Sequence, residues 1–244
     1  IRFTSPNANI PPDAILNQKA EFLLRAPNPE ASWHGQSSWL PVRQINGTIT
    51  AFSRVKSSSD EALYECVLEH ELALLNRNFR SAVYTDVTVP EVVTQLMKES
   101  RYFEGFNIDF DSLRCTYPRR EMIIQWKETD LEFIRRLLAE VGIWFRLENH
   151  STTPTETVVI FGDSASRYII SEKKFPFVRR SGMTSHDEYV TELEERHALI
   201  PENIMVRSYN YRDPLSPQAD KTIVSNNIPG GITTGSEYHH SDHF

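Results

Sequence analysis

The amino-acid sequence predicts an α+β fold that is mainly antiparallel β-sheet with short helices. Most of its apolar runs are short, rich in β-branched and aromatic residues, and bounded by turn-forming residues, which is typical of strands. Two segments instead space their apolar residues as a helix does, and each begins with a capping-box pair. Around the second of these segments, a strand–helix–strand–strand succession favours α+β over a doubly wound parallel sheet.

The N-terminal segment is predicted to be extended before the first clear strand. The two prolines after Ile10 indicate a turn or a helix start, and the mostly apolar residues 20–24 predict a strand. A loop rich in Pro, Ser and Gly follows over residues 27–41, and we expect its tryptophans, Trp33 and Trp39, to be exposed.

A hairpin is predicted next, with strands over residues 45–52 and 63–69 joined by a polar turn. Side chains of a strand alternate between its two faces. The alternation places Tyr64, Cys66 and Leu68 on the core side and two glutamates on the other side.

The first helix is predicted over residues 89–99. Thr88 is a suitable N-cap, and Glu91 three residues later completes a capping box. One apolar stripe is predicted to be buried, consisting of Val92, Val93, Leu96 and Met97.

The second helix is predicted over residues 130–140. Thr129 and Glu132 form its capping box, and Gly142 marks its C-terminal stop. Its buried face is predicted to consist of Leu131, Phe133, Ile134, Leu137 and Leu138.

The remaining apolar runs predict strands and a division into three segments. The strands cover residues 122–126, 143–148, 157–161 and 204–211. We predict a first β-rich subdomain over residues 1–85, a helix-containing α+β subdomain over residues 86–170, and a β-rich return segment over residues 171–244.

The composition indicates an ordinary globular protein and argues against two classes of partner. The 244 residues are 39% hydrophobic, enough for one large or two small domains. No apolar run approaches the roughly 20 residues that cross a bilayer, so stable membrane insertion is not expected. The net charge is −7 and basic residues cluster only in pairs, so nucleic acid is not an expected partner. Cys66 and Cys115 lie in strand-like runs, which predicts buried free thiols in a reducing cytoplasm.

Two segments approach a metal-binding pattern without completing it. His70 and Glu71 begin like a zinc-protease motif, but leucine occupies the place of the required second histidine. We interpret His70 and Glu71 as surface polar residues where a strand gives way to a loop. Residues 238–243 contain three histidines, but neighbouring side chains of an extended segment point to opposite sides, so flexible surface histidines are expected.

The carboxylates and a serine elsewhere lack the arrangement that catalysis needs. Glu104, Asp109 and Asp111 alternate with apolar residues, which is typical of a half-buried strand rather than of an acid–base pair. Asp163 and Ser164 follow a single glycine, and no motif ties a histidine to them. No glycine-rich phosphate-binding loop occurs. The sequence therefore predicts no catalytic, cofactor-binding or metal-binding residue, and we expect no enzyme and no cofactor.

Residues 117–148 resemble the signature of VgrG spike proteins of type VI secretion machines. That signature begins with a proline beside basic and acidic residues and continues with Gln-aromatic-x-Glu-Ser/Thr-Asp. It then has a Phe, an Arg-Leu pair, a Glu and a Gly-Ile pair, and ends in aromatic residues. The matching stretches here are Y-P-R-R-E at 117–121, Q-W-K-E-T-D at 125–130 and G-I-W-F at 142–145. Trp126 stands where the family usually has Tyr. Further blocks resemble the family in the same order, so the similarity covers nearly the whole chain.

The resemblance implies the architecture of a phage contractile-tail baseplate hub, with two β-barrel-like subdomains and short helices. It implies a homotrimeric ring that caps a tube of Hcp-type protein, carries the puncturing needle, and meets effector or adaptor proteins. It also implies residence in the bacterial cytoplasm before firing, followed by secretion or translocation into a target cell. Since the family has further strands before this region and a barrel and β-helix needle after it, we expect the chain to be a fragment that leads toward a spike.

Three other interpretations stay open from the sequence. A prophage contractile-tail hub would have nearly the same fold and role, and a long β-helix repeat in the downstream sequence would favour a VgrG protein instead. A hydrolase or metalloprotein would need Asp163, Ser164 and a histidine to meet in one pocket. A generic binding module would not form trimers.

Overall fold

The computed structural model describes residues 1–28, 37–103, 107–150, 152–153, 156–168, 174–178, 189–208, 220–224 and 233–240. The chain forms two compact units, Ile1–Pro176 with Ser181–Tyr189, and Phe177–Arg180 with Val190–Phe244. Its described residues form mostly antiparallel strands with few helices and include a half-barrel sheet, which confirms the predicted fold class.

The elements of the first unit alternate between strands and short helices. Its strands are β1 (Arg2–Ser5), β2 (Lys19–Pro27), β3 (Trp39–Ser57), β4 (Ala62–Glu69), β5 (Phe79–Val87), β6 (Ile108–Ser112), β7 (Arg120–Thr129), β8 (Trp144–Asn149) and β9 (Thr157–Gly162). Its α-helices are α1 (Val89–Glu99) and α2 (Asp130–Val141), and 3-10 helices cover Pro12–Ala14, Glu71–Arg77 and Ala165–Arg167. No helix of the described residues is long and apolar enough to cross a membrane.

The first four strands form one antiparallel sheet in the order β1-β4-β3-β2. The predicted hairpin is confirmed, and its core side carries Tyr64, which is 1% exposed, and Cys66, which is 6% exposed. The ring of Tyr64 stacks on Phe3 at 5.6 Å and on Phe52 at 5.2 Å. Its hydroxyl donates to the backbone carbonyl of Asn7 at 2.9 Å. The N-terminal segment is thereby fixed to this sheet.

Two predictions about loops are wrong in part. The loop predicted over residues 27–41 ends earlier, because β3 begins at Trp39 and pairs with β2 through Pro27. Trp39 is exposed as predicted, whereas Trp33 lies outside the described residues. Cys115 was expected to be buried but is exposed in the connection between β6 and β7, because β6 ends at Ser112 before the chain reaches it. Cys66 is a buried free thiol as predicted.

Both predicted helices are confirmed, and their caps explain their N-terminal ends. The capping boxes of Thr88 with Glu91 and of Thr129 with Glu132 are both formed. Gly142 ends α2 in the left-handed conformation at φ 71°, which suits a residue without a Cβ atom. The apolar stripes of the two helices pack into one core, together with Tyr84 and Ile123 from the strands.

Strands β5 and β7 form a two-stranded antiparallel ribbon over this core. A β-bulge interrupts the ribbon, because one residue of β5, Ser81, faces two residues of β7, Trp126 and Lys127. Lys127 adopts a φ of 48°, and its backbone N–H donates to the hydroxyl of Ser81 at 3.1 Å. The bulge therefore changes the facing of the side chains that follow it in β7. A separate three-stranded sheet in the order β6-β9-β8 contains the strands predicted over residues 143–148 and 157–161.

The described part of the second unit contains another three-stranded sheet. Strand β10 (Asn203–Arg207) pairs antiparallel with β11 (Asp220–Val224) and parallel with β12 (Ser236–His240). The strand predicted over residues 204–211 is confirmed in its first part, and residues 209–211 lie outside the described residues. The division into segments 1–85, 86–170 and 171–244 stays a prediction, although β5 runs across the first of these boundaries.

Candidate functional site

The centre of the signature, between β7 and α2, is a buried polar cluster around Asp130. The side chain of Asp130 is 2% exposed, and three donors converge on it. Arg80 Nε and Gln125 Nε2 each donate to Oδ1 at 2.9 Å, and Asn78 Nδ2 donates to Oδ2 at 2.5 Å. The carboxylate also lies in the first turn of α2, where the helix dipole favours negative charge. This cluster fastens strand β5 to the junction of β7 and α2.

A second group of signature residues fastens α2 along the length of β7. Arg136 Nη2 donates to Glu128 Oε1 at 2.6 Å and to the backbone carbonyl of Ile124 at 2.9 Å. Arg136 Nη1 and Arg120 Nη1 both donate to the carboxylate of Glu140, at 3.0 and 2.7 Å. Through these contacts the charged residues of the signature hold helix α2 in place against strand β7.

The Asp163–Ser164 pair, a candidate for catalysis by sequence, instead organises a loop. Asp163 Oδ2 accepts hydrogen bonds from the backbone N–H groups of Arg114 at 2.8 Å and Cys115 at 2.7 Å, and from the hydroxyl of Tyr117 at 3.0 Å. The hydrogen bond from Cys115 is the largest of the effects that lower the pKa of Asp163 to about 2. Ser164 caps the following 3-10 helix. Neither side chain makes a hydrogen bond to a histidine among the described residues, so the pair lacks the base that a serine nucleophile requires.

The interpretation of His70 and Glu71 as surface residues is wrong. Their side chains are only 11% and 12% exposed, because the chain turns inward from β4 into the 3-10 helix Glu71–Arg77. His70 Nδ1 accepts from the backbone N–H of Leu72 at 3.1 Å, and Glu71 accepts from the hydroxyl of Thr157 at 3.2 Å. Burial lowers the pKa of His70 against the opposing effect of Glu71. Both side chains therefore hold the end of a strand in place.

The other acidic and histidine candidates do not gather into a site among the described residues. Asp109 Oδ1 accepts from the backbone N–H of Asp111 at 2.7 Å within β6, and Glu104 lies outside the described residues. His239 Nε2 contacts Glu237 Oε1 at 2.8 Å on the exposed strand β12, and residues 241–244 are not described. The described ranges contain no group of three or more His, Cys, Asp or Glu residues able to hold a metal ion.

The outer surface of the β5–β7 ribbon exposes large apolar side chains to solvent. Five large apolar side chains, which we call the ribbon face, stand out from these two strands: Phe79 (64% exposed), Val83 (59%), Met122 (57%), Ile124 (43%) and Trp126 (66%). Val83 and Ile124 are directly paired across the strands. The opposite side of the same ribbon is buried in the core. The ribbon therefore carries large apolar side chains on both sides, as is usual for a strand covered on both faces, and its inner side also carries Arg80 and Gln125 of the Asp130 cluster.

One sequence feature, the apolar run at the start of β7, indicates the ribbon face. The run Met122-Ile123-Ile124 is continuously apolar, whereas a strand with one solvated face alternates. Such a run indicates a strand buried on both sides. Within the described part of the chain, a covering layer lies on the side of Ile123, which is 4% exposed, and not on the side of Met122 and Ile124.

Comparison with protein families gives one match over nearly the full length. The family model described as "Phage tail baseplate hub (GPD)" matches residues 1–243.

The curated relatives are named as VgrG proteins. The chain is 26% identical over 219 residues to the type VI secretion system spike protein VgrG5 of Pseudomonas aeruginosa, covering 88% of this chain and 25% of that protein. It is 22% identical over 214 residues to the actin cross-linking toxin VgrG1 of Vibrio cholerae, covering 88% of this chain and 18% of that protein. The chain thus spans a quarter or less of the length of these relatives.

Among solved structures, the chain is similar to the E. coli c3393 protein, described as a component of the type VI secretion system with structural similarity to the T4 bacteriophage tail proteins gp27 and gp5. The match has 36% sequence identity and a TM-score of 0.60, and it covers 73% of this chain and 44% of that one.

Proposed function

Because the chain belongs to the phage tail baseplate hub (GPD) family, whose model matches residues 1–243, we propose that it is the hub of a type VI secretion spike. In this role three copies form a ring that caps a tube of Hcp-type protein and carries the puncturing needle. Effector or adaptor proteins travel with the same spike. The hub resides in the bacterial cytoplasm before firing and is then secreted or translocated into a target cell.

The similarity to VgrG spike proteins over 88% of the chain is the observation that carries this proposal. The contacts of the signature residues support it, since Asp130 and Arg136 fix a strand to a helix. A hub needs this kind of rigid scaffold together with surfaces for neighbours. We therefore propose a non-enzymatic role for this region.

A threefold hub on a sixfold tube requires each copy to present two similar outer surfaces. The proposal assigns these surfaces to two β-rich subdomains within each chain, which gives the ring a pseudo-sixfold outline. Closed rotational symmetry also leaves no growing end, which keeps the assembly finite.

The decisive experiment is the mass of the full-length protein by light scattering, followed by binding to assembled tubes of the Hcp-type protein. We expect three times the chain mass over a wide concentration range, and retention of the trimer on tubes in a sedimentation assay. A full-length protein that stays monomeric, or a trimer that does not sediment with tubes, would contradict the proposal. A control tube protein from an unrelated phage guards against unspecific sedimentation.

The family description itself favours a second candidate, the hub of a prophage contractile tail. Its trimer would be the same, but its tube partner would be a phage tail-tube protein. Binding to phage tubes and not to Hcp-type tubes would decide for this candidate.

A further inference from the structure

We infer that the ribbon face is the surface through which one copy of this chain packs against the next copy. The inference rests on the proposed trimer and adds the residues that form its contact. Trp126, Phe79 and Val83 are each at least 59% exposed, on a ribbon whose other side packs against the core.

The size of the ribbon face fits a contact between copies. From the usual surface areas of these side chains, the five residues expose on the order of 500 Å² of apolar surface. A standard interface takes about 800 Å² from each partner, and interfaces between copies of one chain are about 65% apolar. The ribbon face alone supplies that apolar share for one side of the contact, so on that side only an ordinary polar rim is needed around it.

The composition of the ribbon face points to a permanent partner rather than a transient one. The exposed side chains of the two strands at positions 79, 81, 83, 85, 122, 124 and 126 are uncharged. The ammonium of Lys127 lies 5.2 Å from the centre of the Trp126 ring, at the bulge that borders this surface. Permanent interfaces exclude charge from their centres and favour aromatic residues and methionine. Transient partners are usually guided by charged surfaces. The net charge of −7 shows that this chain carries charged side chains, but they lie outside the centre of the ribbon face. A second copy of the chain is the permanent partner that the proposed function supplies.

The contact is made by side chains and not by adding a strand to the ribbon. Along β7 the carbonyl of Ile124 already accepts a hydrogen bond from Arg136. Arg119 similarly holds the end of β5 through its ion pair with Asp86 at 3.2 Å. Charged side chains at a strand edge discourage pairing with another strand. Because a ring is closed by rotation, the ribbon face must meet a different surface of the neighbouring copy.

The test compares two valine-to-glutamate variants in the full-length protein. Val83→Glu places a carboxylate in the centre of the ribbon face, where Val83 is 59% exposed. Val55→Glu is the control, because Val55 is a valine of similar exposure, 51%, in strand β3 of the four-stranded sheet. Burial of an unpaired carboxylate in an interface centre is strongly unfavourable, so we expect Val83→Glu to raise the concentration of half-dissociation at least about 30-fold. Val55→Glu should remain trimeric, and both variants should keep the circular dichroism spectrum of the wild type.

Each outcome has a distinct meaning. A trimeric wild type with a trimeric Val83→Glu variant overturns the ribbon contact and leaves the proposed hub standing. A monomeric wild type contradicts the hub itself. Loss of the trimer in both variants to the same extent overturns the assignment to the ribbon face, since the effect would then not depend on the site.

Oxidative footprinting of Met122 and Trp126 gives a second measurement that needs no variant. We expect both side chains to be protected where the wild type is trimeric and oxidised after dilution to monomers, while Tyr238, which is 57% exposed, serves as the reference. Equal oxidation in both states would refute the inference. Protection that persists in a monomeric full-length chain would also refute it, because a segment of the same chain would then cover the ribbon face.

Discussion

Replacing Asp130 by Asn tests whether the signature acts as a structural fastening. The change keeps the size of the side chain and removes its charge. Asn78 can turn its amide to restore one hydrogen bond, but the charge pairing with Arg80 and the favourable position at the start of α2 are lost.

The expected loss follows from the burial of the carboxylate. Its side chain is 2% exposed, while that of Arg80 is 33% exposed, so the arginine recovers part of its hydration. A charge-assisted hydrogen bond contributes about 1.5 to 3 kcal/mol and a helix-terminal charge about 0.5 kcal/mol. We therefore expect the free energy of unfolding to fall by about 2 kcal/mol, which moves the urea midpoint by about 1 M.

Asp86→Asn is the matched control. Asp86 also accepts a hydrogen bond from an arginine Nε, that of Arg119 at 3.2 Å, but its side chain is 84% exposed. Asn tolerates the φ of 54° at this position. The loss should stay below about 0.5 kcal/mol because exposed ion pairs contribute little.

Urea unfolding followed by circular dichroism measures both variants under the same conditions. If Asp130→Asn and Asp86→Asn lie within about 0.5 kcal/mol of each other, the reasoning from burial is refuted. A double-mutant cycle with Arg80→Met then tests the cause, since the pair should show a coupling energy of about 1 kcal/mol or more.

Three further predictions concern backbone geometry and pH. Gly142→Ala should lower the free energy of unfolding by about 1 kcal/mol because of the φ of 71° alone, since no atom lies within 4 Å of the added Cβ. Gly142→Asn should recover much of that loss in thermal unfolding, because Asn tolerates this conformation. Gly47→Ala should cost more than Gly142→Ala in the same assay, because its Cβ would overlap the backbone carbonyl of Glu69; an equal loss at both positions would contradict the close approach of these strands. The pKa of Asp163 is lowered to about 2 in the folded chain, so its contribution to stability is complete above about pH 4 and is lost as the pH falls through 2. We therefore expect the free energy of unfolding to decline less between pH 5 and pH 2 in Asp163→Asn than in the wild type. An equal decline in both proteins would refute the role of this carboxylate.

Local chemistry in the sequence was sufficient to place the helices and most strands. The start of each helix depends on a threonine and a glutamate three residues apart, and the end of α2 depends on one glycine. The core side of β4 follows from strict alternation, which places Tyr64 and Cys66 inward. These features involve neighbours in the chain, so no distant residue is needed to predict them.

Predictions failed where distant segments decide the outcome. Residues 39–41 looked like a loop because of their turn-forming neighbours, but pairing with β2 draws them into a strand. His70 and Glu71 looked exposed, but the chain packs Thr157 and Phe103 against them. A local pattern cannot contain the contact that buries such residues.

The sequence by itself determined the fold class, the two capped helices and the resemblance to spike hubs, because each depends on residue types at short spacings. Only the tertiary structure decided that Asp130 meets Asn78 and Arg80, about fifty positions earlier in the chain. Only it decided which side of Met122-Ile123-Ile124 is covered by the core and which is exposed among the described residues. The physical reason is that burial is a property of the packed chain: an apolar strand specifies that both of its faces should be covered, and the fold determines which face remains open.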